Sequence, residues 1–220
     1  MPLAIILDMD GLMLDTEAIS LRVWREAAVD LGYVLSDQLC DGMVGRTATA
    51  NMAQLLDHFG TEFPAAELAR SAGARYRAHL ETHGVKRKPG LEEFLSFLDH
   101  RGLARAVATS TDTTLATCKL AQAGVLGYFD VIVGGDQVSR GKPAPDIFLL
   151  AATRLGYRPA DCVVLEDSGP GIEAAAAAGM RSILIPDGRV PAGPVRRTVH
   201  ATAASLNDAR ALIELLLQSC

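Results

Sequence analysis

The sequence contains no apolar run long enough to cross a bilayer: its longest apolar stretches are strand-sized or rich in alanine, well short of the roughly 20 residues a membrane helix needs. No membrane partner is expected. Positive charge is also in deficit. Lysine and arginine together number 21 against 26 aspartates and glutamates, a formal net charge of −5, which argues against a nucleic acid held through its phosphates. A small anionic ligand therefore needs a local positive site. Cysteine is sparse: Cys40, Cys118, Cys162 and Cys220 lie far apart and form no CxxC pair, so neither a zinc site nor a disulfide framework is indicated. No basic segment precedes an apolar one at the start of the chain, because Asp8 and Asp10 interrupt the first apolar run; a cytoplasmic location is the expectation. With no long exposed apolar stripe, a monomer is expected as well.

What is present has the balance of a globular protein. Of 220 residues, 49% are apolar and 21% charged, which excludes disorder and allows a substantial core with room for an inserted lobe. Residues 3–7 (LAIIL) are continuously apolar, the pattern of a strand buried on both faces of a parallel sheet. Residues 104–108 (ARAVA), 131–133 (VIV), 162–165 (CVVL) and 182–185 (SILI) repeat it, each bounded by polar residues or glycine. Helical patterns at 112–123, 145–156 and 169–178 alternate with these runs, which predicts a doubly wound α/β sheet.

Residues 16–85 break that alternation. They carry helical patterns at 17–31, 46–59 and 64–82 and no strand pattern, so they read as an all-helical insertion after the first strand. The stretch 86–102 (KRKPGLEEFLSFLDHRG) marks the return, with Pro89 and Gly90 breaking the chain before a helix that ends at Gly102. The expected organisation is an α/β core of residues 1–15 and 86–220 interrupted by a helical cap domain at 16–85. Residues 186–194 (PDGRVPAGP) read as a loop and 206–217 as a terminal helix.

Parallel sheets bind ligands beyond the carboxyl ends of their strands, so the polar residues there are the ones to collect. The first strand runs into Asp8 and Asp10, the second into Thr109 and Ser110, and the fourth into Glu166, Asp167 and Ser168; the loop after the third carries Lys142. Asp8 and Asp10, two apart in an extended segment, face one side, and Asp167 reaches them from a neighbouring strand. Such a cluster is costly without a cation. A hard ion such as Mg²⁺ relieves the repulsion and keeps coordination positions for a phosphorylated ligand. Each acid alone reads as a solvated turn residue, and Ser168 as a helix N-cap. Thr109 and Ser110 offer a hydroxyl and backbone N–H groups ahead of a helix, which suits an anion, although such pairs also cap helices. Lys142 is one of only four lysines and lies in a Gly/Pro-rich loop, where it can balance the acids and phosphoryl oxygens or stand as a surface charge.

Together, DMDG at 8–11, the apolar run ending in Thr109, Lys142 followed by PAPDIF, and VVLEDS at 163–168 with GIEAAAAAG at 171–179 resemble the four motifs of the haloacid dehalogenase (HAD) superfamily. They stand in the correct order from about residue 4 to 186. The chain is similar to the helical-cap branch that includes β-phosphoglucomutase and phosphoglycolate phosphatase-like enzymes. The resemblance implies a Rossmann-like core, a mobile cap, and Mg²⁺-dependent hydrolysis of a small phosphorylated substrate, such as a sugar phosphate, through an aspartyl-phosphate. It makes Asp8 the nucleophile and a metal ligand, and Asp10 the general acid and then base, with its backbone carbonyl on the metal. Thr109 would hold the phosphoryl group with the Ser110 amide assisting, and Lys142 would offset charge. Asp167 would bind the metal, with Glu166 beside it in a supporting role.

Four cap residues are read more openly. Arg46, in MVGRT, is placed to bind a remote phosphate or hydroxyl of the substrate, or is a plain surface arginine. Glu17 points into the cleft or is simply an acid in the first turn of a helix. His79 and His83, four apart on a helix, can chelate a metal but lack a third ligand, so they read as a solvated face. Among rival activities, dehalogenation does not need Asp10, and a Schiff-base phosphonatase needs a cap lysine, whereas residues 1–85 contain none. A non-enzymatic scaffold would have lost a motif. A phosphosugar mutase remains the alternative, although Ser20 stands where the mutase pattern has histidine and the cap has no lysine.

Overall fold

A computed structural model describes residues 3–188 and 199–218. From the N-terminus, strand β1 (Ala4–Leu7) leads into four helices, α1 (Glu17–Asp30), α2 (Asp37–Asp41), α3 (Ala48–Phe59) and α4 (Ala65–His83). Then come α5 (Leu91–His100), β2 (Ala104–Ala108), α6 (Thr113–Gln122), β3 (Val131–Val133) and α7 (Asp146–Leu155). The chain continues through β4 (Cys162–Glu166), α8 (Gly169–Ala177), β5 (Arg181–Leu184), β6 (Ala201–Thr202) and α9 (Leu206–Gln218). All strand pairs are parallel, in the order β3-β2-β1-β4-β5-β6. This is the doubly wound α/β sheet that the alternating pattern predicts.

Alternation along each strand divides the core in two. Ile5, Leu7, Val107, Val163 and Leu165 face helices α5, α6 and α9, while Ala4, Ile6, Ala106 and Val164 face α7 and α8. The second face is lined by small residues: Ala174 and Ala175 of α8 are fully buried, so that helix lies close on the sheet. Register then aligns the strand ends. Leu7 stands opposite Val107 on one side and Leu165 on the other, which carries Asp8, Thr109 and Asp167 to a common edge.

Helices α1 to α4 bury a separate cluster around Val23, Trp24, Leu55, Leu68 and Tyr76. The chain enters and leaves this helical segment side by side: Asp15 N donates to Lys86 O at 2.9 Å, Lys88 N to Met13 O at 2.8 Å, and Leu14 pairs antiparallel with Arg87. Two short elements carry no signal in the sequence. Helix α2 is a single turn capped by Ser36, whose hydroxyl accepts from Leu39 N at 3.2 Å, and β6 has only two residues, too few for any periodicity. Helix α3 begins at Ala48, capped by Thr47, so Arg46 lies in the turn before it rather than on the helix. Of the expected loop 186–194, residues 189–194 lie outside the described residues, as does Cys220. No helix among the described residues is long and apolar enough to cross a membrane.

Candidate active site

The turn after β1 places the first carboxylates. Gly11 has φ +84°, and a Cβ there would stand 2.1 Å from Asp167 Oδ2, so glycine alone lets the two loops meet. Asp8 is buried and accepts from the ammonium of Lys142. That ammonium is itself sealed in, and it also reaches Glu166 Oε1 at 2.5 Å and the carbonyl of Ala108 at 3.2 Å. Glu166 is the deepest of the acids. Its other oxygen accepts from Ser168 N at 2.8 Å and Ser168 Oγ at 2.9 Å, and a Cβ at Gly171 would overlap its carboxylate, so it locks the start of α8. Ser168 caps α8 as expected, its hydroxyl accepting from Gly171 N.

Oxygens of Asp8, Glu166 and Asp167 all lie within 4.8 Å of one another. Lys142 cannot neutralise three of them. Burial, partly offset by Lys142, pushes the Asp8 carboxyl up to about 7. Burial and the charges of Glu166, Asp8 and Glu17 push Asp167 well above the usual carboxylate range. A second acidic group, Glu17, Asp167 and Asp187, adjoins the first, and burial with the charge of Asp187 raises Glu17 to about 7. Buried, like-charged, all-oxygen donors short of a counter-charge fit a hard divalent cation such as Mg²⁺.

Asp10 stands apart from that corner. Its Oδ1 accepts from Thr16 Oγ1 and from the ammonium of Lys119, and its Oδ2 accepts from Thr111 Oγ1 at 2.7 Å. Burial opposes ionisation of Asp10, but Lys119 and the two hydroxyls outweigh it and hold the carboxyl below its usual range. Lys119 is fully buried on α6 and lies 5.1 Å from the ring centroid of Tyr76 on α4. None of these three partners of Asp10 belongs to a sequence motif. The available signal is the spacing of Ala116, Lys119, Leu120 and Ala123, one buried helical face with a cation in it.

A cleft of about 640 Å³ opens between the helical segment and the strand ends, with Asp8, Asp10 and Thr109 in its wall. Thr109 is buried and its backbone N–H is used by Val133 O at 3.0 Å. Ser110 turns its hydroxyl onto Gly45 O at 2.9 Å, tying the β2 edge to the loop before α3. Arg46, Glu17 and Ser20 line the cleft; Arg46 is exposed and Glu17 half-buried. Asn51, which no sequence pattern singles out, lines it too, and its buried Oδ1 has no hydrogen-bond partner. His79 and His83 stack with centroids 4.3 Å apart, and Arg22 bonds His79 at 3.1 Å. Among the described residues they belong to no metal-binding group.

Known proteins resemble this chain in sequence and fold. A curated phosphorylated carbohydrates phosphatase from Thermotoga maritima is 34% identical over 96% of this chain and 90% of its own length. The fructose-1-phosphate phosphatase YqaB of Escherichia coli is 35% identical over 81% of this chain and 94% of its own. Among solved structures, CbbY from Rhodobacter sphaeroides in complex with phosphate superposes with a TM-score of 0.78 at 28% identity, covering 94% of this chain and 95% of that one. The family model for haloacid dehalogenase-like hydrolases matches residues 5–185, and the chain belongs to that family.

Proposed function

We propose that the protein is a Mg²⁺-dependent phosphatase acting on small phosphorylated metabolites, sugar phosphates foremost, through an aspartyl-phosphate on Asp8. The observation that carries this reading is the wall of the cleft, where buried Asp8 is held by Lys142, lies next to Asp167 and stands beside Thr109. Substrates named for the relatives, phosphorylated carbohydrates and fructose 1-phosphate, agree with a cleft in which the exposed Arg46 offers an anion contact.

In this mechanism an oxygen of Asp8 attacks phosphorus and the bond to the substrate oxygen breaks, while Asp10 gives that oxygen its proton. Asp10 then takes a proton from water as the water attacks phosphorus and the acyl-phosphate bond breaks, releasing phosphate. Beside Lys119 the carboxyl of Asp10 is set up as the base of the second half. For the first half it needs a proton, which a phosphomonoester brings as its monoanion, the second ionisation lying near ~6. Lys142 holds Asp8 in line and offsets its charge, while Thr109 meets the phosphoryl oxygens. Held by Asp8, Asp167 and the carbonyl of Asp10, Mg²⁺ would supply charge neutralisation of the phosphoryl group; Glu166, tied to Lys142 and Ser168, supports from below.

The test is a panel of sugar phosphates, phosphoglycolate and nucleotides with Mg²⁺, read as phosphate release. Sugar phosphates are expected to be hydrolysed fastest. A second assay supplies β-glucose 1-phosphate with catalytic glucose 1,6-bisphosphate. If glucose 6-phosphate forms much faster than phosphate is released, a phosphosugar mutase replaces the hydrolase.

A further inference from the structure

Lys119 is an expensive residue where it stands. Its side chain is 2% exposed, and its neighbours on that face of α6, Ala116, Leu120 and Ala123, are buried apolar residues. A leucine would fill the position without the desolvation cost of a buried ammonium. Yet the ammonium makes one ion pair, to Asp10, a residue 109 positions away. Tyr76, from the helical segment, covers it with the face of its ring, which excludes water and strengthens the pair.

The contacts on Asp10 are selective in direction. A carboxylate offers about four lone-pair sites. Lys119 and Thr16 take two on Oδ1, and Thr111 takes one on Oδ2, which leaves one free, on Oδ2. The Asp10 side chain is 29% exposed while Lys119 is sealed, and Asp10 lines the cleft, so the carboxylate is clamped from behind and open in front. Thr16 makes the same choice: it occupies the N-cap position of α1, but its hydroxyl makes no cap bond and is given to Asp10 instead.

We infer that Lys119 is a positioning residue for the proton-transfer steps, clamping Asp10 from the α/β body so that its one open lone pair faces the leaving oxygen and then the attacking water. The inference rests on the phosphatase reading above, in which Asp10 handles both protons. It is separate from Lys142, which acts on Asp8 at the other side of the strand ends.

The experiment compares wild type, Lys119→Met and Lys119→Arg with a sugar phosphate and with p-nitrophenyl phosphate, each in Mg²⁺. An alkoxide needs a proton to leave, whereas nitrophenolate leaves without one. With the sugar phosphate, kcat/KM of Lys119→Met is expected to fall by roughly 100-fold, the scale of a general acid. With p-nitrophenyl phosphate, kcat/KM reports only formation of the phospho-enzyme and is expected to fall less than about 5-fold. In the same assay kcat and KM drop together, because hydrolysis of the phospho-enzyme by Asp10 becomes slow. Lys119→Arg keeps the charge and is expected to recover most of the loss. Equal losses on both substrates, or no loss on either, overturn the inference while leaving the phosphatase reading intact. If wild type itself hydrolyses neither substrate, the phosphatase reading fails first and takes the inference with it. A Lys119→Met that does not fold leaves the decision to Lys119→Arg: the two substrates must then respond differently to that variant, and an equal response overturns the inference.

Discussion

Replacing Lys142 with methionine tests whether the site is held together by one buried cation. The lysine side chain is fully buried, as is that of Glu166, and Asp8 is nearly so; the ammonium also lies 5.0 Å from the centroid of the Phe148 ring. Methionine fills similar volume, so packing against Phe148 survives and the loss is electrostatic. Removing one partner of a buried ion pair costs about 3–5 kcal/mol, because two carboxylates are left facing each other without a counter-charge. For a chain of this size that is a fall in melting temperature of roughly 10 °C near neutral pH. The pH dependence has a definite sign. The folded-state pKa of Asp8 is already raised from 3.8 to about 7 with Lys142 present, and without the lysine it rises further. A carboxyl whose pKa is raised on folding contributes stability that is full below its unfolded value and is lost as pH rises through its folded value. The deficit of Lys142→Met relative to the parent is therefore expected to be small at about pH 5 and large at about pH 8. The double variant Lys142→Met/Glu166→Gln is expected to recover at least half of that loss in melting temperature, since a glutamine in place of Glu166 can still accept from Ser168, while activity stays lost. Thermal melts of metal-free protein at the two pH values provide the measurement. A Lys142→Met protein that melts within about 2 °C of the parent, or with the same deficit at both pH values, refutes the reasoning.

Asp8→Asn is expected to lower turnover by on the order of 10⁴-fold or more, because an amide is a poor nucleophile, and to leave the melting temperature equal or higher, since it removes one of three crowded carboxylates; phosphate release at the parental rate would eliminate a covalent route through this residue. Chelation is expected to silence the enzyme and Mg²⁺ to restore it, with Ca²⁺ inhibitory because its looser shell misplaces the reacting groups. Since Asp8, Asp167 and Glu17 all have raised carboxyl pKa values, metal-free protein should lose stability as pH rises from about 5 to about 8. Millimolar Mg²⁺ should then raise the melting temperature more at the higher pH. Equal stabilisation at both values by differential scanning fluorimetry would argue that the cation binds elsewhere.

Each β-run of the core is short, apolar and bounded, so its position in a parallel sheet is a local property of the chain, and the residue that follows it falls at the carboxyl edge. The positions of Asp8, Thr109 and Asp167 at that edge were legible for that reason, and so was the run of helices between Glu17 and His83, whose sequence has helical spacing and no strand. The same locality explains what was missed. Helix α2 and strand β6 are too short to impose a period. Lys119 obeys the period of α6, but a lysine on an apolar face is a mismatch in the pattern, and the partner that makes sense of it is 109 residues away. Asn51 is likewise an ordinary helical residue until the fold buries its side-chain carbonyl without a partner beside the cleft. Pairwise contacts between distant side chains are written in the sequence only through the register that brings their elements together. The sequence alone therefore determined the sheet, the order of its motifs and the edge at which Asp8 stands; only the tertiary structure decided which cation serves which acid, because that depends on where α6 and α4 pack against the strand ends.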